Sequence, residues 1–178
     1  MDPLKRLDRK LVKKGHIIDL YEDDIELPDG RTVKYDFIGH KGAAAIIPVT
    51  EDGKILMVKQ YRNAVDKFTL EIPAGGLNHG EDGKTCAIRE CEEETGYKTF
   101  SATHLIDVFT TVAFCNEKIR IYYTNQLIPS QQHLDEDEYV TVEAYHLDEL
   151  IRKIECGEIC DAKTIAGLYA YHHKISQK

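Results

Sequence analysis

The alternation of apolar and polar positions is sharpest over 118–124, where Ile119, Ile121 and Tyr123 face one way and Arg120, Tyr122 and Thr124 the other, which predicts a half-buried strand. Segments 43–49 and 54–61 are more continuously apolar and flank the turn Glu51-Asp52-Gly53, so they read as a hairpin or as closely paired strands. Segments 68–72 and 100–109 add further strands. Upstream, 16–21, 25–27 and 32–38 read as three short strands, the last two joined by the turn Pro28-Asp29-Gly30. So small a sheet buries little by itself and is expected to pack on the main domain or on a second copy of the chain.

The helical period replaces the two-residue period in three places. Apolar residues recur at helical spacing over 146–154, and Asp161 is placed to cap a helix bearing Ile165, Leu168, Tyr169 and His172. Between Glu81-Asp82 and Thr95-Gly96 the pattern predicts a helix of about three turns, with acids at its positive end and a glycine able to take the left-handed stop. The order of elements is strands, helix, strands, two helices. That is an α+β arrangement, with an amino-terminal β arm over 1–41 and a main domain over 42–178.

Composition narrows the functions open to such a fold. A length of 178 residues suits one well-packed domain with a small appendage. The formal net charge of −8 argues against a sequence-tolerant grip on nucleic acid, so an anionic ligand would need a cation as mediator. The amino terminus lacks the apolar core of a secretory signal, and the apolar runs are too short to span a bilayer. Five cysteines without a secreted-style framework fit reduced thiols, and a cytoplasmic location is the expectation. Cys156, Cys160, His172 and His173 lack the paired short spacings of a zinc site.

The chemistry concentrates on the central helix. At about 100° per residue, Glu90, Glu93 and Glu94 share one arc, while Ala87, Ile88 and Cys91 occupy an adjacent, more apolar one. Like charges at these spacings repel, so something must offset them. Arg89 lies four residues before Glu93 and can hold that carboxylate, leaving Glu90 and Glu94 for a hard divalent cation such as magnesium. A Glu-rich helix face is more often simply solvated, but a solvated helix needs neither the preceding turn Pro73-Ala74-Gly75-Gly76 nor an arginine in register with its acids.

The segment resembles the signature of the Nudix hydrolases, G-x5-E-x7-R-E-U-x-E-E-x-G-U with U bulky and apolar, through Gly75, Glu81, Arg89, Glu90, Glu93, Glu94 and Gly96. Cys91 and Tyr97 depart from it at the two U positions, which are packing positions. Segments 42–49, 58–62, 70–75, 114–118 and 161–165 extend the resemblance to the ADP-ribose pyrophosphatase and nucleoside diphosphate sugar branch, over nearly the whole length.

The resemblance implies a Nudix fold, a mixed sheet sandwiched between helices with a small antiparallel arm. It also implies Mg²⁺- or Mn²⁺-dependent hydrolysis of a nucleoside diphosphate linked to X, here ADP-ribose or a related nucleotide sugar, and a homodimer formed through the arm. Metal ligands would be Glu90, Glu94, the carbonyl of Ala74 and Glu138. Arg89 and Glu93 would serve catalysis with Glu136 as the base, the roles of Glu136 and Glu138 being exchangeable. Arg62, Glu117, Tyr35, Glu71 and Gly75 would meet substrate. A base is sought outside the signature because a cation lowers the proton affinity of the acids that bind it.

Two departures bear on X. Residues 109–113 lack a proline common in the ADP-ribose enzymes, and Tyr35 stands where the arm often carries an arginine, though its ring could stack on a base. A dinucleotide or damaged nucleotide is the alternative substrate. A domain that senses a ligand without cleaving it is the third reading, against which stands the complete set of signature acids.

Overall fold

A computed structural model describes residues 4–134, 136 and 138–177. In chain order its strands are β1 Lys5–Lys14, β2 Asp19–Glu26, β3 Thr32–Gly39, β4 Ala43–Pro48, β5 Ile55–Arg62, β6 Lys67–Glu71, β7 Ala74–Gly76, β8 Tyr97–Lys98, β9 Thr103–Phe109, β10 Lys118–Thr124, β11 Ile128–Pro129 and β12 Val140–Tyr145. Its helices are α1 Gly83–Thr95, α2 Leu147–Glu155 and α3 Ala162–Ser176. The chain divides into two compact units, one made of 1–42 with 109–118, the other of 43–108 with 119–178.

The first unit corrects the strand reading of the amino terminus. The strand before β2 is β1, not 16–21, and the apolar fragments 16–21 and 25–27 fall within or beside one continuous strand, β2. The cause is charge complementarity rather than apolar periodicity. The register of the antiparallel pair sets Lys5 opposite Glu26, Arg9 opposite Asp23, Lys10 opposite Glu22 and Lys14 opposite Asp19. Arg9 grips buried Asp23 through two bonds of 2.6 Å and lies 3.5 Å above the Phe37 ring. Segment 109–118 joins this unit through a parallel bridge from Ile38 to Cys115, with Ile38 N–H donating to Phe114 O at 2.7 Å.

In the second unit a four-stranded sheet runs β7-β4-β10-β9, and a three-stranded antiparallel sheet runs β12-β5-β6. Every residue of β4 is buried because both of its faces are covered. Ala43, Ala45 and Ile47 join the main core with Met57, Ile72, Ile121, Leu150 and Leu168. Ala44 and Ile46 meet Cys86, Ala87 and Cys91 of α1. The apolar arc expected on α1 is therefore its seat on β4, and the acids fall to the side.

Both ends of α1 close as the sequence suggested. Asp82 caps it, its Oδ1 accepting from Lys84 N at 2.9 Å and Thr85 N at 3.1 Å, and Gly96 takes φ 72°. Asp161 likewise caps α3, accepting from Thr164 N at 3.0 Å. Among the described residues no helix is long and apolar enough to cross a membrane.

Candidate active site

The site begins where β7 passes α1. Glu90 and Glu94 lie one turn apart on the flank of α1 and are 7% and 2% exposed. Glu94 Oε2 accepts from the backbone N–H of Ala74 at 2.9 Å, which ties the helix to β7. Glu90 fits only because residue 75 is a glycine, since a Cβ there would fall 1.9 Å from Glu90 Oε1. Gly75 thus clears room for a carboxylate, and its place in the signature has a steric cause.

Burial pushes both acids up, Glu90 to about 7 against the pull of Arg89 and with the charge of Glu93 adding to the rise, Glu94 to about 8 with the charge of Glu90 adding to it. Glu138 adds to the repulsion at both, which puts its charge beside the pair. A hard cation suits such a pair, because it supplies the positive charge that two desolvated carboxylates lack. Among the described residues, no three His, Cys, Asp or Glu side chains already converge as a ligand cage. The fit therefore rests on the buried pair of carboxylates.

Arg89 does more than hold Glu93. Its Nη1 donates to Glu93 Oε2 at 2.7 Å, as the spacing suggested, but also to Glu90 Oε1 at 2.6 Å. Its fork is closed on Glu81, with Nε to Oε1 and Nη2 to Oε2 both at 3.0 Å. Glu90 is accordingly shared with Arg89 rather than left wholly to a cation. Glu81 is the arginine's principal partner, legible only as a fixed signature position eight residues upstream.

The carbonyl end of α1 is held by the segment that leads into the acidic run. His133 N–H donates to Glu93 O at 2.9 Å, Gln132 Nε2 to Glu94 O at 2.6 Å, and Ser130 N–H to Gly96 O at 2.7 Å. These bonds satisfy carbonyls that a helix end leaves open. They also hold residues 130–133, which lead into the acidic run, beside the helix that carries the site acids. Within that run Glu136 is exposed and Glu138 half-buried, while Asp135 and Asp137 lie outside the described residues.

Next to Glu94 stands an ion network. Arg62 at the end of β5 forks onto Glu71 at the end of β6, Nε to Oε1 and Nη2 to Oε2 both at 2.8 Å. Lys163 Nζ reaches Glu71 Oε2 at 2.5 Å and Asp161 Oδ2 at 3.0 Å. With two cations and Thr69 as donors, Glu71 is held down at about 2 despite its burial. Arg62 and Lys163 both act electrostatically on Glu94. Lys163 had no role in the sequence reading; its signal is faint, a lysine two residues after a helix cap and 92 residues from its partner.

Glu117 and Tyr35 belong to the first unit. Glu117 Oε2 accepts from Thr110 Oγ1 at 2.8 Å, and its Oε1 lies 3.5 Å from His40 Nδ1. Tyr35 is exposed on a cleft of 370 Å³ that Phe37, Phe109 and Phe114 also line. The site described above is built from second-unit residues alone.

A glycine-cleared, arginine-braced carboxylate pair on a capped helix defines a class, and the family comparison agrees: residues 39–168 match the NUDIX domain, and the chain belongs to the Nudix hydrolases. It is 39% identical over 168 residues to the ADP-ribose pyrophosphatase of Bacillus subtilis, covering 90% of this chain and 91% of that one. It is 40% identical over 166 residues to the methanol dehydrogenase activator of Bacillus methanolicus, covering 92% of this chain and 90% of that one. The fold matches a solved ADP compounds hydrolase with TM-score 0.87 at 19% identity, over 99% of this chain and 96% of that one.

Proposed function

We propose that the chain hydrolyses the pyrophosphate bond of ADP-ribose or a related nucleoside diphosphate sugar, giving a nucleoside monophosphate and a sugar phosphate. The observation that carries this reading is the buried Glu90–Glu94 pair, which calls for a dication, in a chain 39% identical to an ADP-ribose pyrophosphatase. Mg²⁺ or Mn²⁺ would be held by Glu90, Glu94, Glu138 and the Ala74 carbonyl, and when bound would neutralise the diphosphate and its developing charge. Ala74 is included because N–H and C=O of one strand residue share an edge, and its N–H already points at Glu94.

The chain's own groups divide the remaining work. Arg62, its side chain 40% exposed, offers N–H donors to the phosphate oxygens. Arg89 keeps Glu90 and Glu93 in place through its bonds to both. Glu136, an exposed carboxylate, accepts the proton of the attacking water, which displaces the leaving phosphate in line. Glu117 and Tyr35 meet the ribose and base. We read the enzyme as cytoplasmic and as a homodimer joined through its arm, where β1 carries exposed Leu7, Leu11 and Val12.

Incubation with Mg²⁺ and a panel of ADP-ribose, other nucleotide sugars, reduced NAD and damaged nucleotides tests this, with products resolved by mass in oxygen-18 water. The expected products are AMP and ribose 5-phosphate, ADP-ribose being the preferred substrate. The second reading, a dinucleotide or damaged nucleotide as substrate, is favoured by Tyr35 standing in the place of an arm arginine. Cleavage confined to those compounds would establish it instead.

A further inference from the structure

We infer that Lys163 is a positioning residue for substrate binding: through Glu71 it fixes the guanidinium of Arg62 in the orientation that receives the diphosphate. The inference rests on the proposed role of Arg62 and adds to it a residue on another element, with no direct part in the chemistry.

The geometry begins with the capacity of one carboxylate. An ionised carboxylate has about four lone-pair sites. Glu71 Oε1 accepts from Arg62 Nε at 2.8 Å and Thr69 Oγ1 at 2.6 Å, and its Oε2 from Arg62 Nη2 at 2.8 Å and Lys163 Nζ at 2.5 Å. Glu71 is therefore saturated, and at 3% exposure it is out of reach of a substrate hydroxyl. The direct substrate contact expected of it from the sequence gives way to a part in this clamp.

Lys163 sits at the buried end of the network and Arg62 at the wet end, with side-chain exposures of 10% and 40%. The two cations share one oxygen, Oε2. A forked arginine–carboxylate pair must lie nearly in one plane, so whatever sets the carboxylate plane also sets the plane of the guanidinium. Lys163 can set it because it is itself fixed on α3. Its ammonium also meets Asp161, which caps α3, and Thr164 Oγ1 on the first turn accepts from Ile72 N at 3.0 Å, the residue after Glu71. A closed ring of bonds thus runs from the end of β6 to the start of α3 and back.

Among the described residues the guanidinium of Arg62 bonds to Glu71 alone, through two of the five N–H donors a guanidinium has. The outward donors are aimed by the inward fork. Without Lys163, the buried Glu71 charge would be answered by Arg62 and Thr69 only. The guanidinium would then be drawn inward and its plane released, so that binding would have to reorder it.

The test combines three backgrounds: Lys163→Met, Arg62→Ala, and the paired change Glu71→Gln with Lys163→Met, which removes both buried charges and spares the fold an unpaired one. Affinity for a non-hydrolysable ADP-ribose analogue is measured by calorimetry with Mg²⁺ present, alongside KM and kcat under the same conditions and the melting temperature. Lys163→Met should raise KM and weaken analogue binding by about 10- to 100-fold with kcat little changed, and Lys163→Arg should recover part of the loss. The paired variant should regain melting temperature but not affinity, and Arg62→Ala should add nothing to it. A paired variant that binds like wild type, or losses that multiply with Arg62→Ala, would show Lys163 to be structural only and overturn the inference. If Arg62→Ala alone leaves analogue affinity unchanged, the role of Arg62 falls, and the positioning role with it.

Discussion

Glu94 and Glu71 are both buried carboxylates, yet their surroundings drive them in opposite directions. Glu71 has two cations and a hydroxyl as donors and is held at about 2, whereas Glu94 rises to about 8 through burial, to which the charges of Glu90 and Glu138 add. For Glu71 the folded value lies below the ordinary 4.5, so its contribution, on the order of 3 kcal/mol, is present above pH 4.5 and lost as pH falls toward 2. Urea unfolding over that window should show a steep acid loss in wild type and a shallower one in Glu71→Gln. For Glu90 and Glu94 the folded values lie above 4.5, so stability in EDTA should fall as pH rises through about 7 to 8. Glu94→Gln should flatten that limb, and magnesium should raise the melting temperature of wild type more at pH 8 than at pH 6. A metal-free protein equally stable at both pH values would contradict the burial and repulsion assigned to these carboxylates.

Spacing made the Glu90–Glu94 pair legible, because helical geometry turns four residues into one face. The clamp on Glu71 was not legible, because it depends on a contact between β6 and α3 that no local pattern encodes.

Elements show the same division. The capped helix α1 was readable from Asp82 and Gly96, and β10 from its alternation. The pair of β1 and β2 was not, because its register follows matched charges across a turn while periodicity arguments look for apolar residues. The tether between 130–133 and the end of α1 was hidden for a related reason: its acceptors are backbone carbonyls of Glu93, Glu94 and Gly96, which carry no side-chain signal. The tether bears on the role proposed for Glu136, since it sets where the run bearing Glu136 and Glu138 begins. Ser130→Ala, which removes the 2.6 Å bond from Ser130 Oγ to Glu92 Oε1, together with Gln132→Ala, which removes the bond from Gln132 Nε2 to Glu94 O, should cost about 1 to 2 kcal/mol in unfolding free energy and lower kcat more than it raises KM. Unchanged kcat in a stable double variant would separate the tether from catalysis.

For the molecule as a whole, the family was readable from residues 75–97 together with the segments flanking them, and residues 39–168 match the family. The grouping of 109–118 with 1–42 was not readable, because the bridge from Ile38 to Cys115 spans more of the chain than a sequence pattern does. Sedimentation of the full chain should give a dimer, and substituting Leu7 and Leu11 by charged residues should shift it toward monomer; a wild-type monomer at micromolar concentration would remove the arm as an assembly element.

The net charge of −8 makes the largest demand on the account, since a strongly acidic protein is held to bind a diphosphate. Product-resolved turnover of ADP-ribose by wild type and Glu94→Gln, each with Mg²⁺ and with EDTA, tests that most directly. The expected result is AMP and ribose 5-phosphate from wild type only when Mg²⁺ is present, with Glu94→Gln folded but slower by about 100-fold or more. Turnover by wild type in EDTA, or a Glu94→Gln variant as fast as wild type at saturating Mg²⁺, would contradict it.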